Sequence, residues 1–365
     1  MVSSDVPGSD IWGKCRGARM SGQAKPSVLR PCEGTWGECE VFADDPSVSL
    51  ASDIIYVPFN LNQVWGIFNH DGTPVMDTVD RHGPDANTDG QVLIAEQVVL
   101  QDCAISPERS YVYGGVISLH YGHFIVNSLS RLWHHSRQCN ASLRVLFHGP
   151  GNPDIWFERP FLREMFAAIG IARENVIAFD RPTKISLLEI PHPSFQEQHY
   201  ISKAFTELCN RIGRHIIEGM DMSRNDRPVY LSKTAMTSGV GRVVNEIVIE
   251  NVLRSAGVEI FYPETLRLSD QIRIFSERST VVGITGSSLH TSAFIPPYGR
   301  IIALSPTDRP NSNFALLDAA NGTRSEYYYA HGTRVVADGK DRFLTNLELC
   351  NPEAIARDLL SLISS

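Results

Sequence analysis

A regular alternation of short apolar runs with longer amphipathic segments, from residue 111 to residue 304, is the feature that most constrains the fold. The short runs have the length of buried strands, and the longer segments have the apolar spacing of helices. Strands that alternate with helices form parallel sheets whose faces the helices cover. The sequence therefore predicts an α/β protein.

The alternation has two parts, and two earlier strand candidates precede the first part at residues 64–68 and 92–100. A turn is predicted at residues 69–72, directly after the earliest strand. The predicted strands of the first part span residues 111–116, 143–147, 176–179 and 185–190. Its predicted helices span residues 120–135, 160–168 and 201–220.

The second part of the alternation is more regular than the first. Its predicted strands span residues 229–232, 258–262, 280–284 and 301–304. Its predicted helices span residues 242–256, 269–277 and 287–294, with Ser269 as the N-cap of the middle one. Two short strands at 327–329 and 335–336 and a final amphipathic helix at 352–363 complete the chain.

A polar segment that ends in proline, residues 222–228, is the best candidate for a linker between the two parts. It predicts an N-terminal domain at 46–222, a C-terminal Rossmann-like domain at 223–345 and a C-terminal helix at 346–365. Residues 1–45 are rich in Gly, Ser, Pro and Cys, and we expect them to form a loosely ordered extension. Two such halves suggest a cleft, with ligands outside the carboxyl ends of the strands.

Length, composition and charge narrow the class of protein. A chain of 365 residues accommodates two domains, and 42% hydrophobic with 20% charged residues is typical of a folded globular protein. The net charge of −8 argues against nucleic acid as a partner. No apolar run reaches about 18 residues and no signal sequence is recognised, so we expect a cytoplasmic protein. Peripheral attachment at the inner membrane stays an open alternative.

The chemistry of cysteines, metals and cofactors is constrained by motifs that the sequence lacks. Seven scattered cysteines include no C-x-x-C pair, and free thiols are favoured over a local pair between Cys32 and Cys39. The histidines lack metal-ligand spacing and no Asp-x-Asp motif occurs, so no metal is expected. Neither G-x-G-x-x-G nor a Walker A motif is present, so no cofactor is expected either.

Residues 122–133 form a candidate catalytic motif. On the predicted helix, His123, Asn127 and Arg131 are spaced four residues apart and share one face. Because a helix dipole disfavours a charged imidazole near the N-terminus, the pKa of His123 is expected to fall. A neutral His123 would then accept a proton near pH 7. The alternative is a structural histidine that hydrogen-bonds the backbone.

A glycine-rich segment, residues 238–246, is predicted to lead from a strand into a helix. Backbone N–H groups and the dipole at such a helix start bind anions, and Arg242 would add a forked contact to a phosphate. Glu246, one turn later, would hydrogen-bond a ribose. The alternative is a surface ion pair between Arg242 and Glu246, worth roughly a few tenths of a kcal/mol.

Two further segments place polar residues directly after predicted strands. In residues 282–289, Gly286 lets the backbone approach a ligand, and Thr285, Ser287 and Ser288 offer hydroxyls to a phosphate. The alternative there is an ordinary capped turn. Glu264 follows another strand, where it would contact a ribose or a base, or lie in a solvated loop.

Together these motifs resemble glycosyltransferase family 61 over about residues 110–300, and the segment 229–304 is the most specific part. The first 60 residues show no match. The residues that carry the resemblance are Gly122-His123-Phe124 through Trp133, Tyr230 and Ser232 with Arg242 and Asn245-Glu246, Pro263-Glu264 with Gln271, and Gly283 through Phe294 with Pro296-Pro297.

The resemblance implies an inverting transferase of the GT-B type, in which two Rossmann-like domains face a cleft. It also implies a nucleotide-sugar donor, mostly UDP-linked in the family, and a carbohydrate acceptor. The family includes bacterial enzymes of polysaccharide synthesis, which are the closest analogy here. From this analogy we expect a role in capsule, exopolysaccharide or lipopolysaccharide synthesis, with peripheral association with a membrane-bound polysaccharide assembly as an open alternative.

The resemblance further implies roles for individual residues. His123 would be the catalytic base, and Asn127 and Arg131 would orient it or the acceptor. Arg242 and the turn at 286–288 would hold the leaving diphosphate, as positive groups do in the absence of a metal. The implied donor-side residues are Arg242, Asn245, Glu246, Glu264, Gln271, Thr285, Gly286, Ser287 and Ser288.

This chain differs from many relatives at Asn127, where they carry aspartate, and at Thr285, where they carry histidine. These departures motivate an alternative of another class: a catalytically silent carbohydrate- or nucleotide-sugar-binding subunit of a polysaccharide assembly. An enzyme alternative is the transfer of a pyruvyl group or an acidic sugar on the same architecture. An NAD-dependent oxidoreductase has less support, because its fingerprint is missing.

Overall fold

Sheets with parallel strands form the centre of both halves of the chain. The computed structural model describes residues 28–84, 86, 87, 90–93, 95, 102–138, 143–338 and 343–365. Contacts divide these residues into unit 1, residues 38–208, and unit 2, residues 28–37 with 209–365. The architecture is mixed α/β, which confirms the predicted class. The domain boundaries proposed from the sequence stay predictions.

The strands of the two units are short, as expected for buried strands between helices. In chain order they are β1 (Leu29–Pro31), β2 (Glu40–Phe42), β3 (Val48–Val57), β4 (Gly66–Phe68), β5 (Arg81–His82), β6 (Ala86–Asn87), β7 (Ala104–Ile105), β8 (Ser110–Val116), β9 (Val145–His148), β10 (Val176–Ile177), β11 (Thr183–Pro191), β12 (Phe195–Gln196), β13 (Tyr200–Ser202), β14 (Val229–Leu231), β15 (Gly239–Val243), β16 (Glu259–Phe261), β17 (Thr280–Ile284), β18 (Arg300–Ser305), β19 (Arg324–Ala330), β20 (Arg334–Asp338) and β21 (Phe343–Glu348).

The helices alternate with these strands. They are α1 (Tyr121–His123), α2 (Trp133–Gln138), α3 (Pro153–Phe157), α4 (Pro160–Ala168), α5 (Lys203–Ile216), α6 (Glu246–Ser255), α7 (Leu268–Glu277), α8 (Ser312–Asn321) and α9 (Pro352–Ile363). A π-helical turn covers Phe124–Ser128, and 3₁₀ turns cover Met76–Thr78, Arg173–Asn175, Pro263–Thr265 and Ser287–Phe294.

The main sheet of unit 1 has the strand order β10-β9-β8-β11-β3-β4, and β7 pairs with β11. Strands β10, β9, β8 and β11 run parallel, whereas β3 and β4 are antiparallel to their neighbours. Aromatic and β-branched side chains suit this pleated surface, and Tyr56, Tyr113 and Leu188 are buried in its core. The carboxyl ends of β8 and β11 therefore meet at one edge of the sheet.

The main sheet of unit 2 has the strand order β1-β19-β18-β17-β14-β16. All its strands are parallel except β1. Strand β16 adds on one side of β14 and β17 adds on the other, so the direction of winding reverses between β14 and β17. In open parallel sheets this reversal opens a crevice at the carboxyl ends, where ligands bind. Apolar clusters around Tyr230 and Phe275 form the core.

Most of the predicted elements are present, and four agree with the structure at both ends: Pro160–Ala168, Thr280–Ile284, Ser287–Phe294 and Pro352–Ile363. Three expectations about helix starts are wrong. Helix α5 begins at Lys203 because the residues before it pair with β2. Helix α7 has Arg267 at its N-cap, not Ser269. Helix α6 begins at Glu246, four residues later than predicted.

The predicted helix at residues 120–135 is also wrong as a continuous element. Helix α1 ends at His123, the π-helical turn follows, and α2 begins only at Trp133. The apolar side chains of Phe124, Ile125 and Val126 are all buried, although an ideal α-helix would point successive side chains about 100° apart. Packing therefore determines the turn here, and the stripe of residues four apart is broken.

The N-terminal extension was expected to be loosely ordered, but its described part pairs into sheets. Strand β1 adds to the edge of the unit 2 sheet, and β2 pairs with β13. Residues 1–27 lie outside the described residues, and so does most of the strand predicted at 92–100. Cys32 is a free thiol, as expected, whereas Cys39 is disulfide-bonded, which corrects the expectation for that residue. None of the described helices is long and apolar enough to cross a membrane.

Candidate functional site

The crevice between β14 and β17 in unit 2 holds a lysine that the sequence did not single out. Lys233 follows β14, and its Nζ donates a hydrogen bond of 2.8 Å to the carbonyl oxygen of Thr285, which follows β17. Gly286 leaves room for this approach, because a Cβ atom there would overlap the flexible end of the Lys233 side chain. The structure thus places a primary amine at the carboxyl edge where ligands of parallel sheets bind.

The surroundings of Lys233 change the pKa of its ammonium group. Its enclosed position lowers the pKa of the ammonium, and the nearby Glu246 opposes this shift. Glu246 is 1% exposed and accepts hydrogen bonds from the Tyr230 hydroxyl at 2.9 Å and from the Lys233 backbone N–H at 3.2 Å. Burial raises the pKa of Glu246. Glu246 therefore stabilises the backbone at Lys233 through a hydrogen bond that is closed to solvent.

A second buried carboxylate ties the β14 and β16 ends together. Glu250 accepts hydrogen bonds from Ser232 at 2.6 Å, from Tyr262 at 2.9 Å, and from Thr234. Burial alone would raise the pKa of Glu250, but these hydrogen bonds, with one from Arg254, lower it below its usual value. An ionised Glu250 thus holds the loops on both sides of Lys233 in place.

Five of the predicted donor-side residues lie at the carboxyl ends of β16 and β17. Glu264 lies in the 3₁₀ turn Pro263–Thr265 directly after β16, and partial burial raises its pKa. Thr285, Gly286 and Ser287 follow β17, and Ser288 continues into the 3₁₀ helix Ser287–Phe294. Since β14 separates these two strands in the sheet, Lys233 lies between Glu264 and the Gly286 turn.

Arg242 lies elsewhere, and its expected position at a helix start is wrong. It is part of β15, in which the valines favour an extended chain that pairs with β21. Its Nε donates to the Oδ1 of Asn346 at 2.7 Å, and its guanidinium lies 4.8 Å from the centre of the Phe343 ring. The sheet β15-β21-β20 is separate from the main sheet of unit 2.

Two other predicted donor-side residues make contacts with the backbone. The Nδ2 of Asn245 donates to the carbonyl oxygen of Leu349 at 2.8 Å, and its Oδ1 accepts from the Leu349 N–H at 3.1 Å. The Nε2 of Gln271 donates to the carbonyl oxygen of Leu266 at 3.3 Å. These amides therefore stabilise the loops that frame the unit 2 sheet.

Unit 1 carries the candidate base His123, and a carboxylate lies beside it. The Nδ1 of His123 lies 3.2 Å from the Oε1 of Glu197. His123 is 48% exposed at its side chain, whereas Glu197 is only 4% exposed. The hydrogen bond with Glu197 raises the pKa of His123, against an opposing effect of burial. The expected fall in this pKa is wrong, because α1 is only three residues long and a carboxylate outweighs its dipole.

Two more imidazoles surround this pair. The Nδ1 of His82 lies 3.8 Å from the same oxygen of Glu197. The rings of His120 and His123 have centres 5.2 Å apart, and burial lowers the pKa of His120. The three histidines come from two segments, yet all of them lie around one carboxylate. Such an arrangement can hold and move a proton.

Asn127 and Arg131 do not share a face with His123. Asn127 lines a small cavity beside Asp80 and Glu197. Arg131 is buried, donates from Nη1 to the carbonyl oxygen of Pro191 at 2.7 Å, and lies over the Tyr113 ring. The three residues predicted to share one helix face therefore have different environments. His123 is half-exposed, Asn127 lines a cavity and Arg131 is buried.

Glu197 and Lys233 were missed by the sequence analysis, although one signal pointed to Lys233. Lys233 comes just after the parallel strand β14. The rule that ligands lie at the carboxyl ends of parallel strands, applied to every predicted strand, would have selected it. Glu197 directly follows β12, which pairs antiparallel with β13 in a separate small sheet, so the same rule does not mark it.

Comparison with known proteins identifies the family of the chain. The family model for glycosyltransferase 61 matches residues 121–302, which include His123, Glu197, Lys233 and Thr285. No curated protein matches the chain. Among the residues that the structure describes, no group of His, Cys, Asp and Glu side chains is arranged to hold a metal ion. The chain belongs to glycosyltransferase family 61 and is a glycosyltransferase.

Proposed function

We propose that the protein is an inverting glycosyltransferase that moves a sugar from a nucleotide-sugar donor, UDP-linked, onto a carbohydrate acceptor. The observation that carries the proposal is the position of Lys233 at the winding reversal of the unit 2 sheet. An ammonium has three N–H donors, and the carbonyl of Thr285 takes one of them. The others are suited to the anionic oxygens of a diphosphate.

The turn after β17 completes the diphosphate site in this proposal. Gly286 allows close approach, and the hydroxyls and backbone N–H groups of Ser287 and Ser288 lie at the start of the 3₁₀ helix. Positive side chains and N–H groups stabilise the charge that develops on a leaving diphosphate. Together with Lys233 they would perform this role without a metal ion.

The nucleoside is proposed to lie on the β16 side of Lys233. Glu264 follows β16 directly, and its carboxylate is a suitable acceptor for ribose hydroxyls. Gln271 in α7 supports the same loop through the Leu266 carbonyl. The contacts of Arg242, Asn245 and Glu246 favour positioning roles for these three residues over direct donor contacts.

His123 is the proposed base on the acceptor side. Inversion requires one direct displacement, in which a base takes the proton of the acceptor hydroxyl as the diphosphate leaves. An amide cannot accept this proton at neutral pH, so Asn127 is proposed to hydrogen-bond the acceptor from the cavity beside Glu197. Arg131 is buried and stabilises the segment that follows His123 through its hydrogen bond to the Pro191 carbonyl oxygen.

We also propose a GT-B architecture and a role in polysaccharide synthesis for this protein. The parallel strands in each unit support two Rossmann-like domains of the GT-B type. Synthesis of capsule, exopolysaccharide or lipopolysaccharide in the cytoplasm, with peripheral association with a membrane-bound assembly, is proposed from the family resemblance alone. A silent sugar-binding subunit is the second candidate, and Asn127 in place of an aspartate is the observation that favours it.

The proposal is tested by thermal unfolding with UDP, GDP, CDP, TDP, CMP and NAD. A ligand that binds only the folded state raises the melting temperature, so UDP should raise it and NAD should not. The shift should disappear in Lys233→Ala and persist in Lys184→Ala, a matched change at an exposed lysine. No shift with any nucleotide would contradict the proposed donor site.

Turnover distinguishes the two candidate functions. UDP release is measured from UDP-linked hexoses, N-acetylhexosamines, pentoses and uronic acids, each with a set of oligosaccharide acceptors. Acceptor-dependent release with one donor supports the transferase. Binding of UDP without release from any donor would favour the silent subunit.

A further inference from the structure

We propose that Glu197 is the positioning residue for His123. Its carboxylate holds the imidazole in the tautomer that has the proton on Nδ1, so that Nε2 presents its lone pair to the acceptor hydroxyl. This inference rests on the proposed role of His123 as the base. It adds a residue from a segment that none of the sequence motifs contains.

The geometry of the pair fits this role. A carboxylate oxygen only accepts hydrogen bonds, so the 3.2 Å contact requires that Nδ1 of His123 carries the proton. Glu197 is 4% exposed and His123 is 48% exposed, so the carboxylate is enclosed and the imidazole is open to a substrate. A buried acid that orients a half-exposed histidine is the arrangement found in catalytic triads.

The backbone around Glu197 is held in place from two other segments. The carbonyl oxygen of Glu197 accepts from the Gly83 N–H at 2.8 Å, and the Gln196 side chain donates to the Gly83 carbonyl at 2.7 Å. The carbonyl of Gln198 accepts from the Glu38 N–H at 2.8 Å. These bonds fix the carboxylate relative to His123.

The residue after Glu197 is strained. Gln198 has φ 59°, in the left-handed region that costs a non-glycine residue about 1 kcal/mol or more. Such strain persists only where the surrounding contacts impose it, and it clusters at functional sites. The strained Gln198 is therefore a second observation that points to the position of Glu197 as functional.

Three other titratable groups face this pair. His82 approaches the same carboxylate oxygen, and His120 faces His123. Asp80 is the other carboxyl group nearby; burial raises its pKa and Glu197 adds to the rise, while the buried Arg131 opposes it. Glu197 is the carboxylate that contacts the imidazole of His123 directly, so it is the one placed to stabilise the charged ring.

The step in which Glu197 takes part transfers one proton and one glycosyl group. The acceptor hydroxyl gives its proton to Nε2 of His123 as its oxygen bonds to the anomeric carbon of the donor. The bond from that carbon to the phosphate oxygen breaks, and its electron pair leaves with the nucleoside diphosphate. Glu197 keeps its charge throughout and stabilises the imidazolium that forms.

The first test needs no substrate. The protein is labelled with ¹⁵N histidine, and the signals of His123 are assigned by their loss in His123→Gln. We expect the Nδ1–H tautomer, a pKa above 6.5, and a lower pKa in Glu197→Gln. Glu189→Gln is the matched control, because it removes the carboxylate that pairs with His134 in the same unit and should leave His123 unchanged.

The second test uses the donor and acceptor identified by UDP release. A neutral base is required, so the rate rises with pH through the pKa of His123. In Glu197→Gln this rise should move to lower pH and kcat at the plateau should fall by about 100-fold or more, with the donor KM unchanged. Glu189→Gln should have the same pH dependence, kcat and donor KM as the unchanged protein.

These outcomes separate the inference from the proposed function. An Nε2–H tautomer of His123 in the unchanged protein, or an unaltered pKa in Glu197→Gln, overturns the role of Glu197 whatever the enzyme does. The tautomer result stands even if Glu197→Gln fails to fold. Absence of transfer activity with every donor, together with the expected tautomer and pKa, overturns the proposed function instead. Full activity of His123→Gln overturns both.

Discussion

The side-chain nitrogen of Lys233 and the carbonyl oxygen of Thr285 are 2.8 Å apart, although 52 positions separate the two residues in the chain. They meet because β14 and β17 are parallel neighbours whose carboxyl ends lie side by side. The contact depends on the absence of a side chain at residue 286. Donor binding should therefore be sensitive to this glycine and to the charge of the lysine.

Gly286→Ala should abolish the thermal shift caused by UDP. The new Cβ would overlap the Nζ of Lys233, so the lysine must leave the Thr285 carbonyl or the turn must move. The matched control is Gly241→Ala, where the nearest atom to a new Cβ is the Thr345 carbonyl oxygen at 3.6 Å. An unaltered UDP shift in Gly286→Ala would show that UDP binding does not need Lys233 in its contact with Thr285.

UDP binding should be accompanied by proton uptake at alkaline pH. The enclosed position of Lys233 lowers its pKa, and an anionic diphosphate favours the charged form and raises that pKa again. Affinity for UDP should therefore weaken as the pH rises through the lowered pKa. Titration calorimetry at about pH 9, in two buffers with different ionisation enthalpies, measures the proton uptake. Equal heats in both buffers would contradict the prediction.

Arginine is the control for this proton uptake. Its guanidinium stays charged at all accessible pH values, so Lys233→Arg should bind UDP without taking up a proton. A variant that binds UDP and still shows the buffer-dependent heat would assign the proton to another group.

Asp318→Asn should stabilise the protein at pH 8 more than at pH 5. Burial raises the pKa of Asp318 from 3.8 to about 7, and its carboxyl accepts a hydrogen bond from the Tyr327 hydroxyl at 2.5 Å. The folded state favours the protonated acid, whereas the unfolded chain ionises near 3.8. Folding stability is therefore lost as the pH rises from about 4 to about 7, by roughly 4 kcal/mol at most.

Urea unfolding at the two pH values measures this effect. The asparagine keeps an acceptor for Tyr327 and has no charge to bury, so its advantage should be larger at the higher pH. Asp180→Asn, an exposed change of the same kind, should have little effect at either pH. A less stable Asp318→Asn protein at pH 8 would show that the ionised carboxylate is favoured in the fold.

Gly213→Ala should destabilise unit 2 by about 1–3 kcal/mol. Gly213 lies in α5, where a Cβ would overlap the carbonyl group of Phe294 at the end of the 3₁₀ helix. Gly34→Ala is the control, because no atom lies within 4 Å of a Cβ at that position. Equal unfolding midpoints for the two variants would show that α5 can move away from Phe294.

The pattern of elements was predictable where it depends on local sequence. Short apolar runs predicted the parallel strands of both units, and glycine turns marked their ends. The helix starts were predicted less well, because tertiary pairing decided them. The segment 239–243 pairs with β21, about 100 residues later in the chain, and this pairing converts a predicted helix start into a strand.

The candidate site was predictable only in part, for the same reason. The motif around Gly286 and the residue Glu264 were recognised because each follows a predicted strand. Glu197 was not recognised, because no pattern in its own segment connects it with His123. The two residues are 74 positions apart, and they meet only in the folded chain, where the segment after β12 lies beside α1.

The sequence by itself determined the family, the mixed α/β class and most strands, since apolar spacing and turn residues are properties of short segments. The tertiary structure decided which side chains share an edge of a sheet and which are buried. It placed Lys233 beside Thr285 and Glu197 beside His123, and it turned Arg242 toward Asn346. The order of strands in a sheet is a long-range property, so the partners at its carboxyl ends become known only when the sheet is assembled.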